Sequence, residues 1–115
     1  MSVKRSQRVS ELLREIVGET LMTKMRNPDA SKATISKVHV SENLRHVKIF
    51  VTVSGDEDQR KATMLALNHA RGFIRHEIGA QSDLKYVPQI EFIYDDTLDY
   101  VENIDKILRS LKNRS

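Results

Sequence analysis

Between His46 and Val53 the sequence alternates strictly between branched aliphatic residues and polar or aromatic ones. The aliphatic positions are Val47, Ile49, Val51 and Val53. Because successive side chains of a strand point to opposite faces of its sheet, this pattern predicts a strand with one buried face. A buried face has to be covered, so the fold needs at least one further layer of structure.

An amphipathic helix precedes this strand. Apolar residues recur at helical spacing from about Ser6 to Met25, which is the pattern of a helix with one buried face. We expect Asn27-Pro28 to end this helix, because proline disfavours a helical residue before it. The β-branched segment from Ala33 to Val40 then predicts a second strand, bulged or shortened where two residues leave the alternation. The short loop between the two strands predicts an antiparallel hairpin.

The second half of the chain predicts an interrupted helix, a third strand and a last helix. Acids at residues 56–58 suit the start of the interrupted helix. Gly72 breaks it near the middle, since an interior glycine costs about 1 kcal/mol relative to alanine, and Gly79 suits its C-terminal cap. Residues 87–94 predict the third strand, and apolar residues at helical spacing from Leu98 to Leu111 predict the last helix.

The predicted order is helix, strand, strand, interrupted helix, strand, helix. A hairpin joined to a third strand by a helical crossover predicts a small mixed sheet with helices on one face, an α+β sandwich of two layers. The length suits a single domain over residues 1–115. We expect a monomer, because no surplus apolar helix face is evident. We also expect a cytoplasmic protein, because no segment suits a membrane span or a secretory signal.

Charge is distributed unevenly, although the net charge is only +3. Residues 1–54 carry ten Lys/Arg against five Asp/Glu, whereas residues 55–115 carry nine against eleven. Residues 91–105 hold six acids and no Lys or Arg, and a basic tail with four bases begins at about residue 106. The basic N-terminal half predicts a surface suited to a polyanion.

No arrangement of residues predicts catalysis. The sequence lacks a glycine-rich phosphate loop and a nucleophile elbow, and it has no cysteine. His76-Glu77 resembles the start of a zinc motif, but Ala80 stands where the second histidine would be. We therefore predict no catalytic residue, no metal ion and no cofactor.

Short motifs across nearly the whole chain resemble the ribosome-binding factor A family, a family of bacterial assembly factors of the small ribosomal subunit. They occur in the family's order and at its spacing. The motifs are Arg8-Val9, Asn27-Pro28, Val38-His39-Val40-Ser41, residues 46–52, Ala70-Arg71-Gly72-Phe73-Ile74-Arg75 and residues 87–96. The resemblance implies a KH-like (K homology) fold of type II, which agrees with the predicted order of elements.

The resemblance also implies a function. It implies a non-enzymatic protein that binds the free small (30S) subunit, assists late assembly and 16S rRNA processing alongside other assembly factors, and matters most in the cold. The family replaces the G-x-x-G loop of RNA-binding KH domains by an A-x-G kink, matched here by Ala70, Arg71 and Gly72. Without that loop the KH backbone clamp on single-stranded nucleotides is missing. We expect the kink to permit close packing of the two helical halves, and to shape the surface as a consequence.

Eight cations are the candidates for contact with rRNA phosphates. They are Lys4, Arg5 and Arg8 at the entrance of the first helix, Arg45 and Lys48 in the hairpin, and Arg71, Arg75 and Lys85 around the kink. Each neutralised phosphate releases counterions and adds affinity that does not depend on sequence. Aromatic residues are only 5% of the chain, so extended base stacking is not expected. We expect a helix to cover Phe50.

Two alternatives remain open from the sequence. The acidic segment 91–105 suits a protein-interaction module that docks a basic partner. A small-molecule regulatory domain would need a polar-lined pocket. Salt distinguishes RNA binding from the first alternative. Binding to rRNA should weaken steeply as the salt concentration rises, whereas binding to a protein partner should not.

Overall fold

The computed structural model describes residues 4–112, apart from the side chains of Leu98 and Asp99. Within that range four helices and three strands follow the predicted order. They are α1 (Arg5–Thr23), β1 (Ala33–Val40), β2 (His46–Val53), α2 (Glu57–His69), α3 (Arg71–Gln81), β3 (Gln89–Tyr94) and α4 (Thr97–Lys112). A single 3-10 turn, Ala30–Lys32, leads into β1. The predicted α+β fold is confirmed.

The three strands form one sheet in the order β1-β2-β3. β1 and β2 pair antiparallel, as a short hairpin requires, and β2 and β3 pair parallel, because α2 and α3 carry the chain back across the sheet. The register of β1 shifts between Ile35 and Lys37. Ser36 is therefore the extra residue of a bulge, which confirms the irregularity predicted for this strand.

The core lies between one face of the sheet and three helices. β2 buries Val47, Ile49 and Val51, as the alternation predicts. The fully buried apolar helix residues that cover the sheet are Leu13 and Val17 of α1, Leu67 of α2, and Ile74 and Ile78 of α3. Phe50 lies on the opposite face, half-buried, with the Lys37 ammonium 5.2 Å from its ring centroid. The expectation that one of these helices covers Phe50 is wrong.

One predicted helix end is wrong. α1 ends at Thr23, within two residues of the predicted end and before the Asn27-Pro28 pair. α3 runs past Gly79 to Gln81, so Gly79 is not a cap. A Cβ at Gly79 would lie 3.1 Å from Val87 Cγ2, whereas a Cβ at Gly72 would meet no heavy atom within 4 Å. The close packing that was expected at Gly72 occurs at Gly79, where the segment leading into β3 lies against α3.

α4 presents an exposed apolar face. Its large apolar side chains with described positions are between 39% and 67% exposed, and they are Tyr100, Val101, Ile104, Ile107, Leu108 and Leu111. None of the described side chains of α4 belongs to the core. The reason for expecting a monomer, the lack of such a face, is therefore wrong, and the monomer itself stays a prediction. Across residues 4–112, the helices are all too short or too polar to cross a membrane.

Candidate nucleic-acid interface

The break between α2 and α3 lies at Ala70, within the predicted kink. The Ala70 N–H donates to the carbonyls of Ala66 and Leu67 at 3.1 Å each, and its own carbonyl accepts from the Ile74 N–H at 2.9 Å. Backbone hydrogen bonds therefore continue through the break. Arg71 begins α3 with an exposed side chain whose Nε donates to the Asn68 carbonyl at 3.2 Å.

Four of the eight predicted cations gather at one end of the sheet, around Tyr86. Arg45, Arg75 and Lys85 line an open groove of about 840 Å³ together with Tyr86. Arg5 joins Arg45 and Lys85 in an adjoining groove of about 200 Å³. None of the described residues that line these two grooves is an acid. We call Arg5, Arg45, Arg75, Lys85 and Tyr86 the Tyr86 cluster.

The loop between β1 and β2 holds Arg45 in place. Asn43 Oδ1 accepts from the Arg45 N–H at 3.0 Å and from Ser41 Oγ at 2.7 Å. The Arg45 carbonyl accepts from the Gln89 N–H at 2.8 Å, which ties the loop to the start of β3. Leu44 has a positive φ of 61°, an uncommon conformation for a residue other than glycine, and its side chain packs against the core. The hairpin thus fixes the backbone from which Arg45 projects.

Arg75 holds the segment on the other side of the grooves. Its Nε donates to the Pro88 carbonyl at 3.0 Å and its Nη2 to the Val87 carbonyl at 3.2 Å. These bonds commit part of a half-buried guanidinium to the segment that carries Lys85 and Tyr86. Arg75 was predicted as a phosphate contact, and the structure gives it a positioning role as well.

Tyr86 is the residue of this site that sequence reasoning missed. The Arg45 guanidinium carbon lies 4.1 Å from the Tyr86 ring centroid and Lys85 Nζ lies 5.5 Å from it, both within cation–π range. The side chain is nevertheless 52% exposed. The only signal in the sequence is its place beside Lys85 and shortly before Pro88, since Arg45 is distant along the chain.

The other four predicted cations lie outside the Tyr86 cluster. Lys4 borders a separate groove beside His39, and Arg8 is exposed on α1. Lys48 lies on the open face of the sheet, in register with His39 and Glu91. Arg71 lies beside the kink. The eight predicted cations therefore form one cluster and several separate positions.

Asp95, in the acidic segment, is already engaged within the chain. It accepts hydrogen bonds from Ser36 Oγ at 2.7 Å, from Thr97 Oγ1 at 2.6 Å and from the Thr97 N–H at 3.0 Å. These bonds, with a smaller contribution from the Lys37 charge, lower the pKa of Asp95 to about 2. Because Ser36 is the bulge residue, Asp95 connects the bulge of β1 to the start of α4. Both oxygens of this acid therefore already accept hydrogen bonds within the chain.

The order of elements, the mixed three-stranded sheet and the kinked helix pair define a small KH-like domain. At one end of its sheet, cations line two grooves, and no acid is among the described lining residues. Comparison with known sequences identifies the domain further. The ribosome-binding factor A family matches residues 5–108, and the chain belongs to this family.

Relatives match over nearly their full length. The ribosome-binding factor A of Syntrophobacter fumaroxidans is 34% identical over 113 residues, which cover 96% of this chain and 97% of that protein. The Halothermothrix orenii protein is 38% identical over 112 residues, with 97% and 92% covered. The Geotalea daltonii protein is 39% identical over 108 residues, with 94% and 88% covered.

Solved structures share the fold. The solution structure of a Thermotoga maritima protein described as a ribosome-binding factor A superimposes with a TM-score of 0.69 at 26% identity, covering 81% of this chain and 89% of that one. The crystal structure of the Thermus thermophilus factor gives 0.68 at 16% identity, with 77% and 93% covered. The KH-like fold implied by the resemblance is confirmed.

Proposed function

We propose that this chain is a maturation factor that binds the free small (30S) ribosomal subunit and assists late assembly and 16S rRNA processing without catalysis. Membership of the ribosome-binding factor A family supports this proposal. Coordinates of the Thermus thermophilus family member have been fitted into a cryo-EM map of its complex with the 30S subunit, which supports the same class of partner. The proposal places the protein in the cytoplasm as a single domain over residues 1–115, most needed in the cold.

The Tyr86 cluster is the observation that carries the proposal. Arg5, Arg45 and Lys85 have no carboxylate within ion-pair distance among residues 4–112. Their charges are therefore available to neutralise phosphates, which releases condensed counterions from the RNA. Lys4, Arg8, Lys48 and Arg71 would add contacts at the margins of the interface. The folded shape of the subunit would then supply specificity that phosphate contacts alone cannot.

Co-sedimentation tests this proposal. The full chain is centrifuged with purified small subunits, large subunits and whole ribosomes at two salt concentrations. We expect the protein to migrate with free small subunits only, and to be lost at the higher salt. Migration with no particle, or equal migration with both subunits, would contradict the proposed function.

A further inference from the structure

We infer that Arg45 and Tyr86 form a platform that stacks one unpaired nucleobase, while Lys85 and Arg5 bind the phosphates beside it. The inference rests on the proposed function and adds to it the class of ligand, a single-stranded RNA segment. It also assigns a role to Tyr86, which the charge pattern of the sequence left out.

The platform lies on the boundary between two grooves. Arg45, Lys85, Tyr86 and Asn43 line both the larger groove and the smaller one. An RNA strand that passes from one groove into the other must therefore cross these residues. Arg5 lines the smaller groove and Arg75 the larger one, so each side offers a cation.

The exposed surface of this boundary suits a base. The Tyr86 ring is half exposed, and the planar Arg45 guanidinium lies 4.1 Å from its centroid. Unstacked bases pack on aromatic rings and on guanidinium planes, and every base has such a face, so the platform would not select a sequence. Bases inside an A-form duplex are not available for this contact, because both of their faces are already stacked on neighbouring bases. The ligand is therefore single-stranded.

Both halves of the platform are held before any ligand binds. Arg45 is fixed by Asn43 and Gln89 through its backbone, and the segment that carries Tyr86 is fixed by two hydrogen bonds from Arg75. Less order has to be imposed on binding when the contacting groups are already in place. This arrangement offers a route to single strands that does not use the missing G-x-x-G loop.

The test compares two labelled RNA strands by fluorescence anisotropy with the full chain. One is a short unstructured oligouridylate, and the other has the same backbone with abasic central nucleotides. Both strands offer phosphates, but only the first offers bases. We expect the wild-type protein to bind the base-containing strand roughly 5- to 150-fold more tightly, the range for stacking of one base.

Two substitutions locate this preference. Tyr86→Leu removes the ring and should abolish the difference between the two strands, whereas Tyr86→Phe keeps the ring and should retain it. Thermal unfolding of both variants should match the wild type, since half of the side chain is exposed. Arg45→Lys preserves the charge but not the planar group, and it should reduce the preference while retaining the affinity for the abasic strand.

Three results would overturn the inference. They are equal binding of both strands by the wild type, an unchanged preference in Tyr86→Leu, and no binding of either strand by a protein that still sediments with small subunits. The first result would assign the cluster to phosphates or to acidic proteins. The third would leave the proposed function standing. A base preference that depends on Tyr86, without sedimentation on subunits, would support the platform and contradict the proposed function.

Discussion

At the scale of single residues, the two glycines of α3, Gly72 and Gly79, have different surroundings. A Cβ at Gly72 would meet no heavy atom within 4 Å, while one at Gly79 would lie 3.1 Å from Val87 Cγ2. We expect Gly72→Ala to raise the free energy of unfolding by about 0.5–1 kcal/mol, because alanine loses less backbone entropy in a helix. Gly79→Ala should gain nothing or lose stability, because the methyl group crowds Val87. Urea unfolding of the two variants measures both.

The Gly72→Ala and Gly79→Ala variants also test whether glycine is needed for close packing at the kink or at Gly79. Equal stabilisation by both substitutions would show that the segment holding Val87 moves away from α3 without cost. A loss of stability in Gly72→Ala would show that the kink needs glycine for a reason other than space. Only the expected difference between the two variants agrees with the packing observed here.

Arg75 should matter for stability, and Arg71 should not. Arg75 donates to two carbonyls of the segment before β3, whereas the one hydrogen bond of the exposed Arg71 side chain to the described residues is the local one to Asn68. We expect Arg75→Ala to lower the free energy of unfolding by about 1–3 kcal/mol, and Arg71→Ala to change it by less than about 0.5 kcal/mol. Chemical denaturation measures the stability of the two variants, and sedimentation with small subunits measures their binding. A positioning role lowers stability as well as binding, whereas a direct contact with RNA lowers binding alone. Equal effects of the two substitutions on stability would contradict the role assigned to Arg75.

The residues of the site were predictable only in part, for a physical reason. The charges of Arg5, Arg45 and Lys85 are visible in the sequence, and these charges alone predicted the three residues as phosphate contacts. The contact between Arg45 and Tyr86 joins the β1–β2 loop to the segment before β3. These segments are far apart along the chain, so no local sequence pattern predicts the contact. The same holds for Arg75, whose carbonyl partners are set by tertiary packing.

At the scale of elements, Asp95 should make stability depend on pH in acid. Its pKa is lowered from 3.8 to about 2 in the folded protein, chiefly by the Ser36 hydroxyl and by Thr97. A lowered pKa means that the folded state binds this proton more weakly than the unfolded chain does. The stabilisation is therefore complete above about pH 4 and is lost as the pH falls toward 2.

Urea unfolding at a series of pH values measures this dependence. Asp95→Asn and Ser36→Ala should each make the loss of stability between pH 4 and pH 2 shallower than in the wild type. Asp96→Asn is the matched control, because it removes the same charge from the adjacent exposed residue. An Asp95→Asn variant with the wild-type slope would contradict the connection between the β1 bulge and α4.

α4 should be dispensable for the stability of the remaining domain. No described side chain of α4 belongs to the core, and its described apolar residues are exposed. We expect a chain that ends after Thr97, which keeps the hydrogen bonds to Asp95, to unfold within about 1 kcal/mol of the full chain. The described apolar side chains that this truncation removes are exposed, and exposed side chains contribute little to stability. A smaller helical circular dichroism signal with an unchanged free energy of unfolding would confirm that α4 is dispensable. A large destabilisation would show that α4 packs against the domain, and would identify the open sheet face around Phe50 as the surface to test.

Periodicity predicted the elements better than it predicted their ends. The alternation of β2 is confirmed with its bounds, because a buried sheet face imposes it directly. The end of α3 depends on where the chain must turn to reach β3, so Gly79 did not predict it, whereas the end of α1 lies within two residues of its predicted place. The exposure of the apolar face of α4 was not predicted. Helical periodicity shows that a helix has an apolar stripe, but it does not show whether another element covers that stripe.

At the scale of the whole molecule, the cationic grooves and the acids that follow β3 lie at opposite ends of that strand. β3 begins at Gln89, which borders the cationic groove, and it ends at Tyr94, directly before the acids of the 95–105 segment. We expect this arrangement to favour the approach of a polyanion from the side of the grooves. The net charge of +3 alone does not predict a preferred side of approach.

The location of charge, rather than its total, should control binding to the small subunit. Arg45→Gln with Lys85→Gln removes two charges from the Tyr86 cluster, and Lys61→Gln with Lys106→Gln removes two exposed charges elsewhere. We expect the first pair to reduce the slope of log affinity against log salt by about 1.4–1.8, because two fewer phosphates are neutralised. The second pair should leave the slope near that of the wild type. Sedimentation at a series of salt concentrations measures both, and equal slopes for the two double variants would show that total charge decides the affinity.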